Sequence, residues 1–76
     1  MSAIMEPIPF DLRGDHITLD ALLKATGLAP SGGAAKVLIG AGSVDVNGEP
    51  ELRRGRKLRA GDVVGLGARR VRLQAA

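Results

Sequence analysis

Gly42-Ser43-Val44-Asp45-Val46-Asn47-Gly48 is the stretch that decides the fold. Val44 and Val46 alternate with Ser43 and Asp45, the two-residue period of a strand with one buried face. Asn47-Gly48 follows directly. A two-residue hairpin turn needs positive φ at both of its central positions, and Asn and Gly are the residues that adopt it most readily. The chain is therefore expected to reverse at 47–48 and to begin a sheet there.

Upstream of Gly42 the period is helical. Leu19, Leu22 and Leu23 have i, i+3, i+4 spacing, with Thr18 where an N-cap belongs and Asp20 in the first turn, where the helix dipole favours an anion. Gly27 is placed to end that helix, which gives a short amphipathic helix over 18–26. Pro30-Ser31 opens a second helix with Ser31 as N-cap, Ala35, Leu38 and Ile39 as its buried stripe, and Gly42 as its end. Gly32 and Gly33 each cost roughly 1 kcal/mol relative to alanine inside a helix. In the first turn they are better tolerated, and they let another backbone or a phosphate come close.

Downstream of the hairpin and Pro50 comes a basic run, Leu52-Arg53-Arg54-Gly55-Arg56-Lys57-Leu58-Arg59, then a turn at Ala60-Gly61-Asp62. Val63–Leu66 and Val71–Leu73 read as closing strands about Gly67-Ala68. Before the first helix, Phe10 and Leu12 alternate with Asp11 and Arg13 as a short strand-like stretch. Residues 1–9 read as a flexible tail, because Pro7 and Pro9 disfavour helix and donate nothing to a ladder. The expected architecture is one α+β domain over 10–76, two short helices packed on a small bent antiparallel sheet.

Charge is lopsided. Residues 1–51 hold three cations against seven anions, whereas residues 52–76 hold eight cations against Asp62 alone. Five cations fall within the seven residues 53–59 with no acid among them, so their self-repulsion is expected to be uncompensated. A dense cationic surface concentrates polyanions, of which nucleic acid is the commonest in a cell. Phe10 is the only aromatic residue. Modules that stack bases on a sheet need several, so phosphate and shape recognition of structured RNA or duplex segments is expected instead.

The same composition excludes other chemistries. Without cysteine there is no disulfide, thiolate nucleophile or cysteine-type zinc site. His16 stands alone and reads as a turn residue, so no metal or cofactor is expected. Ser31-Gly32-Gly33-Ala34-Ala35-Lys36 lacks the spacing of a phosphate loop. No apolar run approaches the roughly 20 residues of a membrane span, and the N-terminus lacks the basic and apolar regions of a signal peptide. A cytoplasmic monomer without catalytic activity is expected. An adaptor whose basic patch binds an acidic protein is the alternative; a small enzyme is disfavoured for want of clustered catalytic groups. For Asn47-Gly48 the reading is structural, and for Arg70 and Arg72 an outward orientation follows from the inward-facing Val71 and Leu73.

Taken together, Leu19-Asp20, Leu23, Gly27, Ser31, Ala35, Ile39, Gly42, Val44, Val46-Asn47-Gly48 and Gly61-Asp62-Val64 resemble the RNA-binding module of small-subunit ribosomal protein S-four, the αL-motif superfamily, over residues 17–66. The same module is appended to pseudouridine synthases and bacterial tyrosyl-tRNA synthetases. The chain is most similar to short stand-alone bacterial members. The resemblance implies two helices on a small bent sheet, and binding of ribosomal, tRNA-like or other structured RNA. It implies an RNA face of Ser31, Gly32 and Lys36 from the second helix with Arg53, Arg54, Arg56 and Lys57 after the hairpin, Arg59 closing the run. Larger members carry arginine directly after the serine; Gly32 in that place removes one phosphate contact. Arg13, at the other end of the chain, is expected to lie away from this face.

Overall fold

The turn at Asn47-Gly48 forms, with φ of 54° and 86° at its two central residues, and Val46 faces Glu49 across it. A computed structural model describes residues 7–76. In chain order it contains β1 (Ile8–Leu12), β2 (Ile17–Thr18), α1 (Leu19–Ala25), α2 (Gly32–Gly40), β3 (Val44–Val46), β4 (Glu49–Pro50), β5 (Lys57–Leu58), β6 (Val63–Leu66) and β7 (Arg69–Ala75). The main sheet has the order β1-β7-β6-β3-β4, and β2 pairs with β5 in a separate two-stranded ribbon.

The two helices and the small sheet are as the sequence predicts, but the sheet is mixed rather than wholly antiparallel. β1 lies parallel to β7, Ile8 opposite Val71 and Leu12 opposite Ala75. Parallel neighbours need a long crossover, and here both helices and the intervening strands supply it. β1 also begins at Ile8, inside the stretch read as tail. Pro9 is accommodated because β1 is an edge strand, where a missing N–H donor is tolerated. The tail reading for residues 1–6 falls outside the described residues.

One core joins the layers. Leu19, Leu22 and Leu23 of α1 and Ala35 and Ile39 of α2 are buried against Leu12, Val44, Val46, Leu58, Val64, Val71 and Leu73. A seven-residue helix is not stable alone. Burial of its three leucines, about 1.5–3 kcal/mol each, holds α1 in place.

The helix ends divide into local and tertiary solutions. At α2, Ser31 accepts the Ala34 N–H through Oγ at 3.1 Å, the cap the sequence predicts. At its other end the Gly42 N–H reaches the Ile39 carbonyl and the Ser43 N–H the Leu38 carbonyl, both at 3.1 Å, the paired bonds of a Schellman closure. Thr18 holds the N-cap position of α1 yet its side chain accepts no capping N–H; its hydroxyl instead donates to Asp20 Oδ1 at 2.7 Å. The first N–H groups of α1 find other partners. Leu19 donates to the Arg56 carbonyl at 2.9 Å and Asp20 to the Arg54 carbonyl at 3.1 Å.

Candidate nucleic-acid interface

These two main-chain bonds place the basic run. From Arg54 to Leu58 the loop travels antiparallel to residues 17–20, bonded first to α1 and then through β5 to β2, with Thr18 opposite Lys57 and Ile17 opposite Leu58. The carbonyls point at the helix, and the side chains of Arg54 and Lys57 are left exposed.

Beneath the loop sits Glu51, 7% exposed. Its carboxylate accepts from the Arg53 backbone N–H at 3.2 Å, from Arg53 Nε at 3.1 Å and Nη2 at 3.3 Å, and from Arg56 Nη1 at 2.6 Å. The bonds from Arg53 and then Arg56 hold the Glu51 carboxyl down at about 2, against the desolvation that would raise it. The expectation of an uncompensated cationic run is therefore corrected. Glu51 counts with the acidic part of the sequence, yet the chain folds it under the loop, where it neutralises part of the charge of Arg53 and Arg56. Arg56 is half-buried, whereas the Arg53 side chain is 75% exposed beside its carboxylate partner. Arg54, Lys57 and Arg59 form no ion pair among the described residues.

The other half of the expected face comes from α2. Gly32 shares a shallow hollow with Thr18, Asp20, Ala21 and Lys24, so the start of α2 faces α1 across it, on the side of the turn to which the Arg54 carbonyl is bonded. Apart from its chain neighbours and its own helix backbone, nothing lies within 4 Å of where a Gly32 Cβ would be. Lys36 is exposed four residues on, on the Gly32 side of the helix. Ser31 is exposed, its hydroxyl oxygen already accepting from Ala34. Lys24, an exposed cation that the sequence reading passed over, borders the same hollow. Its position one turn after Asp20 on the solvent side of α1 is the only sequence signal for it.

Arg59 stands at the far end of this strip. It shares a hollow with Leu12, Arg13, Gly14, Asp15 and the C-terminal Ala75 and Ala76. Arg13 is thus not remote, because the parallel β1–β7 pair carries the end of β1 round to the basic run. Arg70 does face outward but is occupied, donating through Nη1 to the carbonyls of Gly67 at 2.8 Å and Arg69 at 2.9 Å. A Cβ at Gly65 would collide with the Arg70 guanidinium and the Asp45 carboxylate, which both lie over that residue.

Asn47 does more than turn the chain. Its Nδ2 donates to Asp62 Oδ1 at 3.0 Å, and its Oδ1 accepts the Val63 N–H at 2.9 Å. Asp62 Oδ2 in turn accepts the Arg59 N–H at 2.8 Å. The hairpin therefore steadies the turn from which Arg59 projects, a link across 15 residues that no local spacing encodes.

Two helices share a hollow at the start of the second, a mixed sheet packs against them, and a cation-bearing loop is bonded to the first helix through its main chain. The chain belongs to the S4 domain family, whose model matches residues 10–74. Over 56 residues it is 46% identical to the probable ribosome maturation protein RlbA of Bacillus subtilis (strain 168), covering 74% of this chain and 79% of that protein. It is also similar to YbcJ from E. coli, whose solution structure is described as revealing an αL motif involved in RNA-binding. That match has a TM-score of 0.71 and 33% identity, and covers 99% of this chain and 96% of that one.

Proposed function

We propose that this protein is a non-catalytic RNA-binding protein that takes structured RNA, ribosomal RNA first, on the strip formed by Ser31, Gly32 and Lys36 of α2 and by Arg53, Arg54, Arg56, Lys57 and Arg59. The observation that carries the reading is the pair of bonds from the Leu19 and Asp20 N–H groups to the Arg56 and Arg54 carbonyls. They hold a cationic loop beside the start of α2 and leave Arg54 and Lys57 exposed. The absence of a side chain at Gly32 admits a sugar–phosphate backbone to the first N–H groups of α2, where the helix dipole favours an anion. The similarity to an αL-motif protein and to a probable ribosome maturation protein supports RNA, and ribosomal RNA in particular. With that ligand the protein works as a monomer in the cytoplasm. No helix among the described residues is long and apolar enough to cross a membrane.

The cations of the loop and of α2 differ in role in this reading. Arg54, Lys57 and Lys36 meet phosphates directly. Arg53 meets them from one side while bonded to Glu51 from the other, and Arg56 chiefly keeps the loop in shape. Phosphate contacts position an RNA without reading its sequence, so recognition rests on the spacing of its backbone. An NMR titration of labelled protein with a short RNA hairpin tests this. Shifts at Gly32–Lys36 together with Arg53–Lys57 are expected; shifts confined to Arg69–Arg72 would refute the assignment, and binding of an acidic protein in place of RNA would favour an adaptor.

A further inference from the structure

The strip continues past Arg59 into a part of the molecule that the proposed RNA face does not include. Where β1 ends and the chain turns towards β2, a hollow of about 410 Å³ opens between Phe10, Asp11, Leu12, Arg13, His16 and Ile17. Leu12 and Arg13 also line the adjoining hollow that holds Arg59 and Asp15. The only phenylalanine of a protein without tryptophan or tyrosine thus lies at the end of the cationic strip, half-buried against the core, with the exposed His16 nearby and two exposed guanidinium groups on one side.

We propose that this hollow binds one unpaired nucleotide of the bound RNA, its base against Phe10, Leu12 and Ile17 and its phosphate between Arg13 and Arg59. The inference rests on the reading of the protein as an RNA binder. Three observations select a nucleotide over a further stretch of duplex backbone. First, the hollow's size lies in the lower part of the range of small-ligand pockets, about 300–1,000 Å³. Second, the hollow combines an apolar, aromatic wall with cations at its rim, matching a molecule with a flat apolar ring and an anionic tail.

Third, carboxylates are present too. Asp15 is exposed beside Arg13, and Asp11 has one oxygen bonded to Gln74 Nε2 at 2.7 Å. Carboxylates repel a continuous run of phosphates but accept hydrogen bonds from the amino groups on base edges. The mixture of signs suits a base with its phosphate, at the point where a paired segment ends.

The test uses the full chain and three RNAs: a blunt hairpin, the same hairpin with a two-nucleotide 3′ overhang, and the overhang hairpin with abasic residues in place of the overhang nucleotides. AMP and GMP alone form a fourth arm. The overhang should tighten binding about fivefold or more, the scale of one base stacked on an aromatic side chain. The abasic version should lose that gain. In Arg13→Gln the ratio between overhang and blunt affinities should fall below about twofold, with a thermal melt checking that the variant folds. Equal affinity for blunt and overhang hairpins would overturn the inference and leave the reading of the strip intact. So would a gain that survives loss of the bases, or mononucleotide binding at Phe10 and His16 without any overhang effect. Failure to bind any hairpin would overturn both.

Discussion

Arg56 Nη1 lies 2.6 Å from Glu51 Oε1, and the carbonyl of the same arginine accepts the Leu19 N–H at 2.9 Å. One residue therefore connects a buried carboxylate to the first turn of α1. The loop between them is clamped from below by an ion pair and from the side by a helix end. A surface ion pair contributes little, but one with a buried carboxylate and several short hydrogen bonds contributes more, and leaving a partner alone is costly.

Glu51→Gln keeps the shape of the side chain and removes its charge. It also turns an amide donor towards guanidinium groups that need an acceptor. The loss should be about 1–3 kcal/mol, the cost of disrupting hydrogen bonds to a charged group. For a domain of this size that corresponds to a melting temperature lower by several degrees, read by circular dichroism. An unchanged melt would mean the carboxylate does not organise the loop.

The pH dependence has a definite sign. The folded protein holds the Glu51 carboxyl at about 2, below its ordinary 4.5, so the ionised form favours folding. This stabilisation is complete above 4.5 and is lost as the pH falls towards 2. The difference in melting temperature between the native protein and Glu51→Gln should therefore narrow as acid is added across that window. A difference that stays constant would contradict the assignment.

Arg54 and Arg56 should separate cleanly. Binding that neutralises three to five phosphates gives a slope of log affinity on log salt of roughly −2 to −4. Arg54→Gln should reduce the slope by about 1 and weaken all structured RNAs alike, with little change in the melt. Arg56→Gln should instead lower the melting temperature, because it strips Glu51 of its shortest partner. Filter binding at several salt concentrations, beside thermal melts, decides between the two patterns.

Gly48→Val places a β-branched residue at a φ of 86°. The strain should cost about 1–3 kcal/mol and lower the melting temperature visibly.

Asn47→Gly leaves the turn dihedrals accessible and removes only the amide that bridges Asp62 and Val63. A loss of about 1 kcal/mol is expected. Amide exchange at Val63 and Arg59 should quicken, and exchange unaffected at both positions would show that the amide bridge does not steady that turn.

Much of the architecture was determined by the sequence alone, because the interactions concerned close within a few residues. The Asn47-Gly48 reversal, the Ser31 cap, the end of α2 at Gly42 and the apolar stripe of α1 each depend on φ preferences or on spacings of two to four residues, and each is legible from side-chain type. Inward Val71 and Leu73 with outward Arg70 and Arg72 follow in the same way from a strand's alternation.

Which elements become neighbours is a property of the folded chain. An apolar face shows that a strand packs, not which strand lies beside it, so the parallel pairing of β1 with β7 was invisible, and with it the approach of Arg13 to Arg59. Charge counted along the chain takes no account of burial, so Glu51 was grouped with the acidic part of the sequence although it lies under the basic loop. Thr18 has the right residue type for a cap, but the Arg54 and Arg56 carbonyls, more than thirty residues downstream, accept the first N–H groups of α1. The β1–β7 pairing and the partners of the α1 N–H groups depend on where the folded chain brings distant groups, and local preference carries no record of that.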